Sequence, residues 1–352
     1  MKITFIISSL SSGGAERVLS NLANALSKKH NIKIITFSSE DSFYDLSQNI
    51  EHIKLNLMEE SKNIFISLYN TLKRIKTLKQ TLKSINADIN ISFVLHTNLL
   101  ATIASRLNKQ KIIISERTVY DFYDSIVLNI LKKIIYPKAA FLITQTLNDK
   151  KNYTFMKNVK VIYNPLGLVP RKYKKEKIIL AVGRLDRNKG FHDLLKAFSK
   201  VKADEWKLCI VGDGIEKESL LSLKKELNLK DVEFIGNRKD IFEWYAKSSI
   251  FVLSSKKEGF PNVLLEAMRS GCACVSFDCP NGPAEIIQNG KNGILVENQN
   301  IEKLIQAIQK LIDDNQLREQ CSNEAIKVIK TYHINKIAHQ WEELIQRVIT
   351  DD

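Results

Sequence analysis

The first 208 residues of this 352-residue chain contain no cysteine, and the five that follow (Cys209, Cys272, Cys274, Cys279 and Cys321) make no CxxC pair. An odd set without such pairs argues against a disulfide framework or a thiolate zinc site and fits reduced thiols in a cytoplasmic protein. There is no DxD pair, and the six histidines form no HxxxH cluster, so a metal-dependent transferase or hydrolase has little support and no metal is expected. No stretch approaches the roughly 18 uninterrupted apolar residues needed to span a bilayer. Internal repeats and low-complexity tracts are also lacking. The opening MKITFIISSL places Lys2 before an apolar run, but Gly13, Gly14 and Glu16 interrupt it where a secretion signal would continue. It reads as a first β-strand.

What is present is basic charge, unevenly spread. Residues 1–170 hold 23 Lys/Arg against 12 Asp/Glu, while residues 171–352 hold 30 against 27. A basic first half points to an anionic partner: phosphate, nucleic acid or a membrane surface. Both halves alternate short β-branched runs with amphipathic helical stretches, the pattern of parallel sheets covered by helices. Strands are expected near 2–8, 32–37, 52–56, 89–93, 111–115, 141–144 and 159–162, then near 178–182, 206–211, 232–235, 250–253 and 273–276. The helices expected in the first half include 15–28, 64–84, 99–107 and 125–135.

Residues 164–177, NPLGLVPRKYKKEK, read as a linker, which divides the chain into a first domain (1–163), a second domain (178–332) and a last helix (333–352). The expected architecture is α/β, with two Rossmann-like domains facing across a cleft. Ligands of open α/β sheets bind beyond the carboxyl ends of the strands.

Five stretches carry candidate chemistry. In SSLSSGGAERVLSNLANAL (8–26), Gly13 and Gly14 sit between a strand and a helix, where backbone can approach an anion; a plain turn is the alternative. In VGRLDRNKG (182–190), Arg184 and Lys189 sit just beyond a strand and can neutralise a diphosphate, whereas Arg187 reads as a solvated cation. EGFPNVLLEAMRSG (258–271) is the most informative: Glu258 precedes a helix start at Pro261-Asn262, and Glu266 follows inside that helix. Two carboxylates so placed suit the vicinal hydroxyls of a sugar and of a ribose. DCPNGPAEIIQNGKNGILV (278–296) serves equally well as a tight connection in the sheet.

The fifth stretch, 62–83, has no acid and carries Lys62, Lys73, Arg74, Lys76, Lys79 and Lys83, with Phe65, Leu68, Leu72, Ile75, Leu78 and Leu82 at helical spacing. It can rest on anionic headgroups or hold a pyrophosphate, or it is a solvated face of a core helix. Nucleic acid is set aside because no stacking platform of aromatic and basic residues accompanies it. His96 follows a strand and can reach a ligand, although a lone histidine is more often structural.

GGAER, GRLDRNKG, EGFPNVLLE and CPNGPAEII, in this order over nearly the whole chain, resemble the family 4 retaining glycosyltransferases of the GT-B fold. Within that family the chain looks most like bacterial transferases of N-acetylgalactosamine, or a related hexosamine, that extend polyprenyl-diphosphate-linked glycans. The resemblance implies a nucleotide-diphosphate sugar as substrate, UDP-linked, with no cofactor. UDP-N-acetylgalactosamine is the first-choice donor; another UDP- or GDP-hexose is the alternative. It also implies a location on the cytoplasmic face of the inner membrane, and a last helix that packs on the first domain through Trp341.

By position, the resemblance assigns Arg184 and Lys189 to the donor diphosphate, Glu258 to the donor sugar, Glu266 to the ribose, and Gly14, beside Gly13, to the approach of the phosphates. Gly259 and Phe260 belong to the same element, and Asn262 and Val263 would offer amide N–H groups. Asn237, Arg238 and Asp240 would frame the base. Where relatives carry Ser-Glu-His with the histidine near the anomeric carbon, this chain has Ser115-Glu116-Arg117, and arginine cannot accept a proton. A sugar-nucleotide epimerase and a non-catalytic membrane-binding protein are the rival readings. An NAD-dependent oxidoreductase is weaker, since the first turn lacks GxGxxG.

Overall fold

The computed structural model describes residues 1–58, 63–120, 125–166 and 173–351. The chain forms two compact units, Met1–Gly167 with Tyr332–Asp352, and Leu168–Thr331. Within the expected linker, residues 167–172 lie outside the described residues.

The first unit contains β1 (Lys2–Ile7), α1 (Gly14–Leu26), β2 (Asn31–Thr36), β3 (Glu51–Lys54), α2 (Ile64–Ile85), β4 (Ile89–Phe93), α3 (Leu95–Leu107), β5 (Ile112–Ser115), α4 (Ile126–Ile135), β6 (Phe141–Thr144), α5 (Leu147–Lys150) and β7 (Val159–Val161). Its strands pair in parallel in the order β3-β2-β1-β4-β5-β6-β7, with Ile3 opposite both Ile32 and Ile89. The central strands are buried on both faces, which is why they read as continuous β-branched runs rather than alternating ones.

The second unit holds β8 (Glu176–Val182), α6 (Phe191–Phe198), β9 (Lys207–Val211), α7 (Lys217–Glu226), β10 (Val232–Gly236), α8 (Ile241–Lys247), β11 (Ser248–Leu253), α9 (Asn262–Arg269), β12 (Ala273–Asp278), α10 (Pro283–Ile286), β13 (Ile294–Glu297), α11 (Ile301–Asp313) and α12 (Asn315–Ala325). Its sheet runs β10-β9-β8-β11-β12-β13. After α13 (Ile329–Tyr332) the chain ends in α14 (Ile334–Thr350).

The last helix belongs to the first unit. Its buried face presents Ile337, Trp341, Leu344, Ile345 and Val348 to a core shared with α1 and the sheet. Trp341 is 1% exposed and stacks on Phe93 with ring centroids 6.2 Å apart. Glu342 accepts from Lys29 at 3.3 Å and pairs with His30 at 3.1 Å. The opposite face of the sheet is covered by α2, α3 and α4 through Leu78, Leu82, Leu95, Leu99 and Ile135.

Two differences from the sequence reading have local causes. Helix α3 starts at Leu95, four residues before the expected position, because Val94 takes φ 73° and turns the chain directly from β4 into the helix. A β-branched residue at positive φ is strained. His96 therefore lies in the first turn of a helix. Lys175, read as part of a basic linker, is structural: its Nζ donates to the carbonyls of Tyr245, Ser248 and Ser270 at 3.3, 2.8 and 2.8 Å.

Helix α2 also departs from a simple core helix. Its apolar side chains at Leu78 and Leu82 are fully buried, but Phe65, Leu68 and Leu72 are exposed. A 22-residue helix is roughly 33 Å long, whereas the five-residue strand β4 is only about 17 Å. Its N-terminal turns overhang the sheet.

Candidate active site

In a parallel sheet the strand order reverses where the chain leaves the middle in opposite directions, and the loops there diverge to leave a crevice. In the second unit that point lies between β8 and β11, which pair directly. The loop after β8 carries Arg184 and Lys189, and the loop after β11 carries Glu258.

Asp186 shapes the first of these loops. One carboxylate oxygen accepts from the amides of Asn188 (3.0 Å) and Lys189 (3.2 Å), capping a single 3-10 turn over Arg187–Lys189. The other accepts from Arg184 Nε at 2.8 Å. Gly190 follows at φ 65°, and a Cβ there would overlap the Ser254 carbonyl oxygen, so both conformation and space require glycine. Ser254 Oγ donates to the Lys189 carbonyl at 2.9 Å, and the Lys256 amide to the Asn188 carbonyl at 2.8 Å. The two loops are thereby tied together, and Lys189 Nζ meets Glu258 Oε1 at 2.6 Å.

Arg184 thus rests on Asp186, and Lys189 on Glu258. Arg184 is 74% exposed, whereas Lys189 and Glu258 are 23% and 10% exposed. An entering phosphate would find both cations already directed by a carboxylate. Arg187 stays outside this set, exposed and paired with Glu216.

Glu258 leads into buried Phe260 and then α9. Gly282, at φ 96°, lies against Pro261, where a Cβ would overlap the proline ring. The CPNGP turn is therefore the seat of the loop that carries Glu258, more than a sheet connection. The Asn262 amide donates to the Phe260 carbonyl at 2.9 Å, so it is turned back onto its own loop. Glu266 is buried, and the positive charge of Arg269 lies close by; burial pushes the Arg269 guanidinium pKa down while Glu266 opposes the shift. The Cys279 thiol is pushed up to about 12 by burial and by Glu258, which keeps it protonated.

Beyond β10, Arg238 grips Asp240 through two bonds of 2.7 and 2.6 Å. Asn237 begins this loop, directly after Gly236 at φ 74°. The side chains of Arg238 and Asp240 hold each other.

In the first unit the reversal lies between β1 and β4. Gly13 is extended (φ −93°), so its conformation does not demand glycine; a Cβ there would instead overlap the Glu16 carboxylate. The Glu16 carboxylate lies against this turn, and burial raises its pKa. Gly14 is the first residue of α1. His96 has an exposed side chain, with its pKa lowered by desolvation and by the charge of Arg74.

After β5, Glu116 and Arg117 point into different surroundings. The Tyr136 hydroxyl donates to Glu116 Oε1, and burial pushes this carboxyl up to about 7. Arg117 Nη1 donates to Asn164 Oδ1 at 2.5 Å, and Asn164 donates to Gln145 at 2.8 Å. The Arg117 guanidinium carbon lies 4.7 Å from the centre of the Phe93 ring, and burial lowers its pKa to about 9. Its Nε and Nη2 have no hydrogen-bond partner among the described residues.

The basic helix is less uniformly solvated than its sequence suggests. Lys76 is exposed, Lys73 and Lys79 are half-buried, and Arg74 Nε donates to the Leu57 carbonyl at 2.9 Å. Lys62 lies outside the described residues. Among the described residues no group of three or more His, Cys, Asp or Glu is placed to hold a metal, and no helix is long and apolar enough to cross a membrane. Asp186, which the motif reading passed over, could have been found as an Asx cap before a glycine.

Residues 169–328 match the family described as "Glycosyl transferases group 1". The chain is 33% identical to a Campylobacter jejuni GalNAc-alpha-(1->4)-GalNAc-alpha-(1->3)-diNAcBac-PP-undecaprenol alpha-1,4-N-acetyl-D-galactosaminyltransferase, over 99% of each chain. It is 30% identical to a second Campylobacter jejuni enzyme, an N-acetylgalactosamine-N,N'-diacetylbacillosaminyl-diphospho-undecaprenol 4-alpha-N-acetylgalactosaminyltransferase, over 96% of this chain and 97% of that one. Its fold is similar to that of Anabaena HepE in complex with UDP, at a TM-score of 0.82 and 20% identity, covering 99% and 100% of the two chains. The order of motifs, two parallel sheets and near full-length similarity agree: the chain belongs to the group 1 glycosyl transferases and has the GT-B fold.

Proposed function

We propose that this glycosyltransferase moves N-acetylgalactosamine, or a related hexosamine, from a UDP-linked donor onto a polyprenyl-diphosphate-linked glycan, with retention at the anomeric carbon. The observation that carries this reading is near full-length similarity to two transferases whose names give that sugar and that kind of acceptor. The product would serve protein glycosylation or a surface polysaccharide.

Breaking the anomeric C–O bond leaves a nucleoside diphosphate with growing negative charge. Arg184, Lys189 and the start of α9 would meet that charge and stabilise the transition state without a metal or cofactor; the ion pairs that hold Arg184 and Lys189 beside the loops after β8 and β11 support this. Glu258, held by Lys189, would bind hydroxyls of the donor sugar, and Glu266 those of the ribose. A donor phosphate oxygen would take the acceptor proton. Arg117 and His96 would serve the sugar or acceptor from the first unit, and α2 would meet the acceptor pyrophosphate or the anionic inner-membrane surface on its cytoplasmic side.

The test is a panel of UDP- and GDP-sugars supplied with a polyprenyl-diphosphate-linked acceptor, following released nucleoside diphosphate. UDP-N-acetylgalactosamine should give the highest turnover, and release should depend on acceptor. A GDP-hexose outperforming every UDP-sugar would overturn the donor assignment.

A further inference from the structure

Arg117 is 8% exposed, and among the described residues only one of its three guanidinium nitrogens has a hydrogen-bond partner. It stands just beyond β5. Gln145 and Asn164, both buried, stand just beyond β6 and β7, the next two strands of the first sheet. Phe93, the last residue of β4, lies against the guanidinium. The group therefore occupies the carboxyl edge of the sheet, where open α/β folds bind their ligands.

Hydrogen bonding within the group runs one way. Arginine can only donate, so its bond from Nη1 to Asn164 Oδ1 fixes which end of that amide is oxygen. Asn164 Nδ2 then donates to Gln145 Oε1 at 2.8 Å, which fixes the second amide in turn. Both amide oxygens are taken. Arg117 Nε, Arg117 Nη2 and Gln145 Nε2 are buried without an acceptor among the described residues. Each of these three atoms is a donor.

The shape of the arginine narrows the ligand. Nε and Nη2 form one edge of the guanidinium, a parallel pair of N–H groups that matches two oxygens of a phosphate or carboxylate. Charge narrows it further. The adjacent carboxyl, Glu116, accepts from the Tyr136 hydroxyl, and burial raises its pKa to about 7, so it does not supply a full counter-charge. A buried cation without an anionic partner is costly. A water molecule accepting from the fork would leave that charge unbalanced, whereas an oxyanion meets both needs.

We propose that Arg117 and Gln145 form an oxyanion fork in the first unit, which binds a phosphate group of a substrate at the carboxyl edge of the sheet. This rests on the transferase reading above and gives chemical content to the general role assigned there to Arg117. It adds Gln145, which no motif singles out. The diphosphate of the donor and that of a polyprenyl-linked acceptor share the required chemistry, and the test separates them.

Two variants of the full chain are compared with the wild type. Arg117→Lys keeps the charge and removes the fork. Gln145→Glu still accepts from Asn164 and offers Arg117 an internal carboxylate that competes with a ligand. Thermal melting checks that each is folded; if Arg117→Lys fails to fold, Gln145→Glu decides alone. Calorimetric titration with UDP reads the donor. Steady-state kinetics with a polyprenyl-diphosphate-linked glycan, set against the same glycan on an uncharged alkyl chain, reads the acceptor. Phosphate binding should weaken at least tenfold in both variants. The loss will appear in the Kd for UDP if the fork holds the donor, or in the KM for the diphosphate-linked acceptor alone if it holds the acceptor.

Unchanged UDP affinity and acceptor KM in folded variants would overturn the fork and make the Arg117 group a brace across three strands. An equal rise in KM for the uncharged acceptor would also overturn it. A fall in kcat with both constants intact would overturn it as well, leaving Arg117 with the general sugar contact of the proposed function. UDP binding that the variants weaken, in a wild type that turns over no donor, would keep the fork and sink the transferase reading.

Discussion

Lys189 Nζ lies 2.6 Å from Glu258 Oε1, joining the two loops that leave the sheet of the second unit where its strand order reverses. The pair is largely shielded from water, so each group depends on the other until a ligand arrives. A donor diphosphate would draw the ammonium, and a sugar hydroxyl would replace it on the carboxylate. In the proposed function the ion pair would be a preorganised site whose two charges are kept apart from competing partners.

Glu258→Ala and Lys189→Ala should each reduce kcat/KM by about 10²-fold or more, the scale for removing one preorganised electrostatic contact. The double variant should lose far less than the product of the two single losses, because the residues act as a unit. Steady-state kinetics on purified, folded variants checks both points. Near-normal kinetics in either single variant removes that residue from the site.

Turnover should persist in excess chelator. The motivation is positive: in the proposed site Arg184 and Lys189 would neutralise the diphosphate in place of a divalent cation. Complete loss in EDTA with recovery on adding Mn²⁺ or Mg²⁺ would sink the scheme.

Glu116 gives a pH prediction whose sign follows from its burial. Its carboxyl titrates near 4.5 in the unfolded chain and at about 7 in the folded one. Between those values the unfolded chain has lost a proton that the folded chain retains, so stability should fall as pH rises from 4.5 to 7 and then level off. Glu116→Gln, which keeps an oxygen for the Tyr136 hydroxyl, should remove that part of the slope and melt higher than the wild type at pH 8. Thermal melts across pH 4.5–8 read this out; parallel curves for the two proteins contradict it.

The α/β alternation and the sheet strands were legible because fully buried parallel strands leave runs such as ITFII and IIIS with little else in them. The last helix was legible through the spacing around Trp341. The start of α3 was not, since it depends on strain at Val94 that no propensity encodes. Nor was the role of Asp186, whose capping bonds are short in sequence but gain meaning only when Ser254 and Lys256 brace the same turn. Nor was the contact of the Glu16 carboxylate with the turn at Gly13, which a Gly-Gly pair does not announce. The exposed half of α2 escaped because periodicity reports which residues share a face, not how far a helix extends beyond its sheet.

That last point reshapes the test of the basic helix. Removing Lys73, Arg74 and Lys76 together would also break the bond from Arg74 Nε to the Leu57 carbonyl, confounding charge with structure. Lys73→Gln with Lys76→Gln avoids this and keeps helix propensity high. Each cation near an anionic surface contributes about 1 kcal/mol, so the pair should weaken vesicle association by roughly 30-fold at low salt. Donor binding in the second unit should be unchanged, while the apparent KM for a polyprenyl-linked acceptor should rise. Added salt should reproduce the loss in the wild type, because exposed charges are screened. Arg74→Gln alone should behave differently, lowering the melting temperature with little further effect on vesicle binding. If the Lys73/Lys76 variant keeps wild-type association and acceptor kinetics, those cations are only a solvated face, and any attachment must come from the apolar residues beside them.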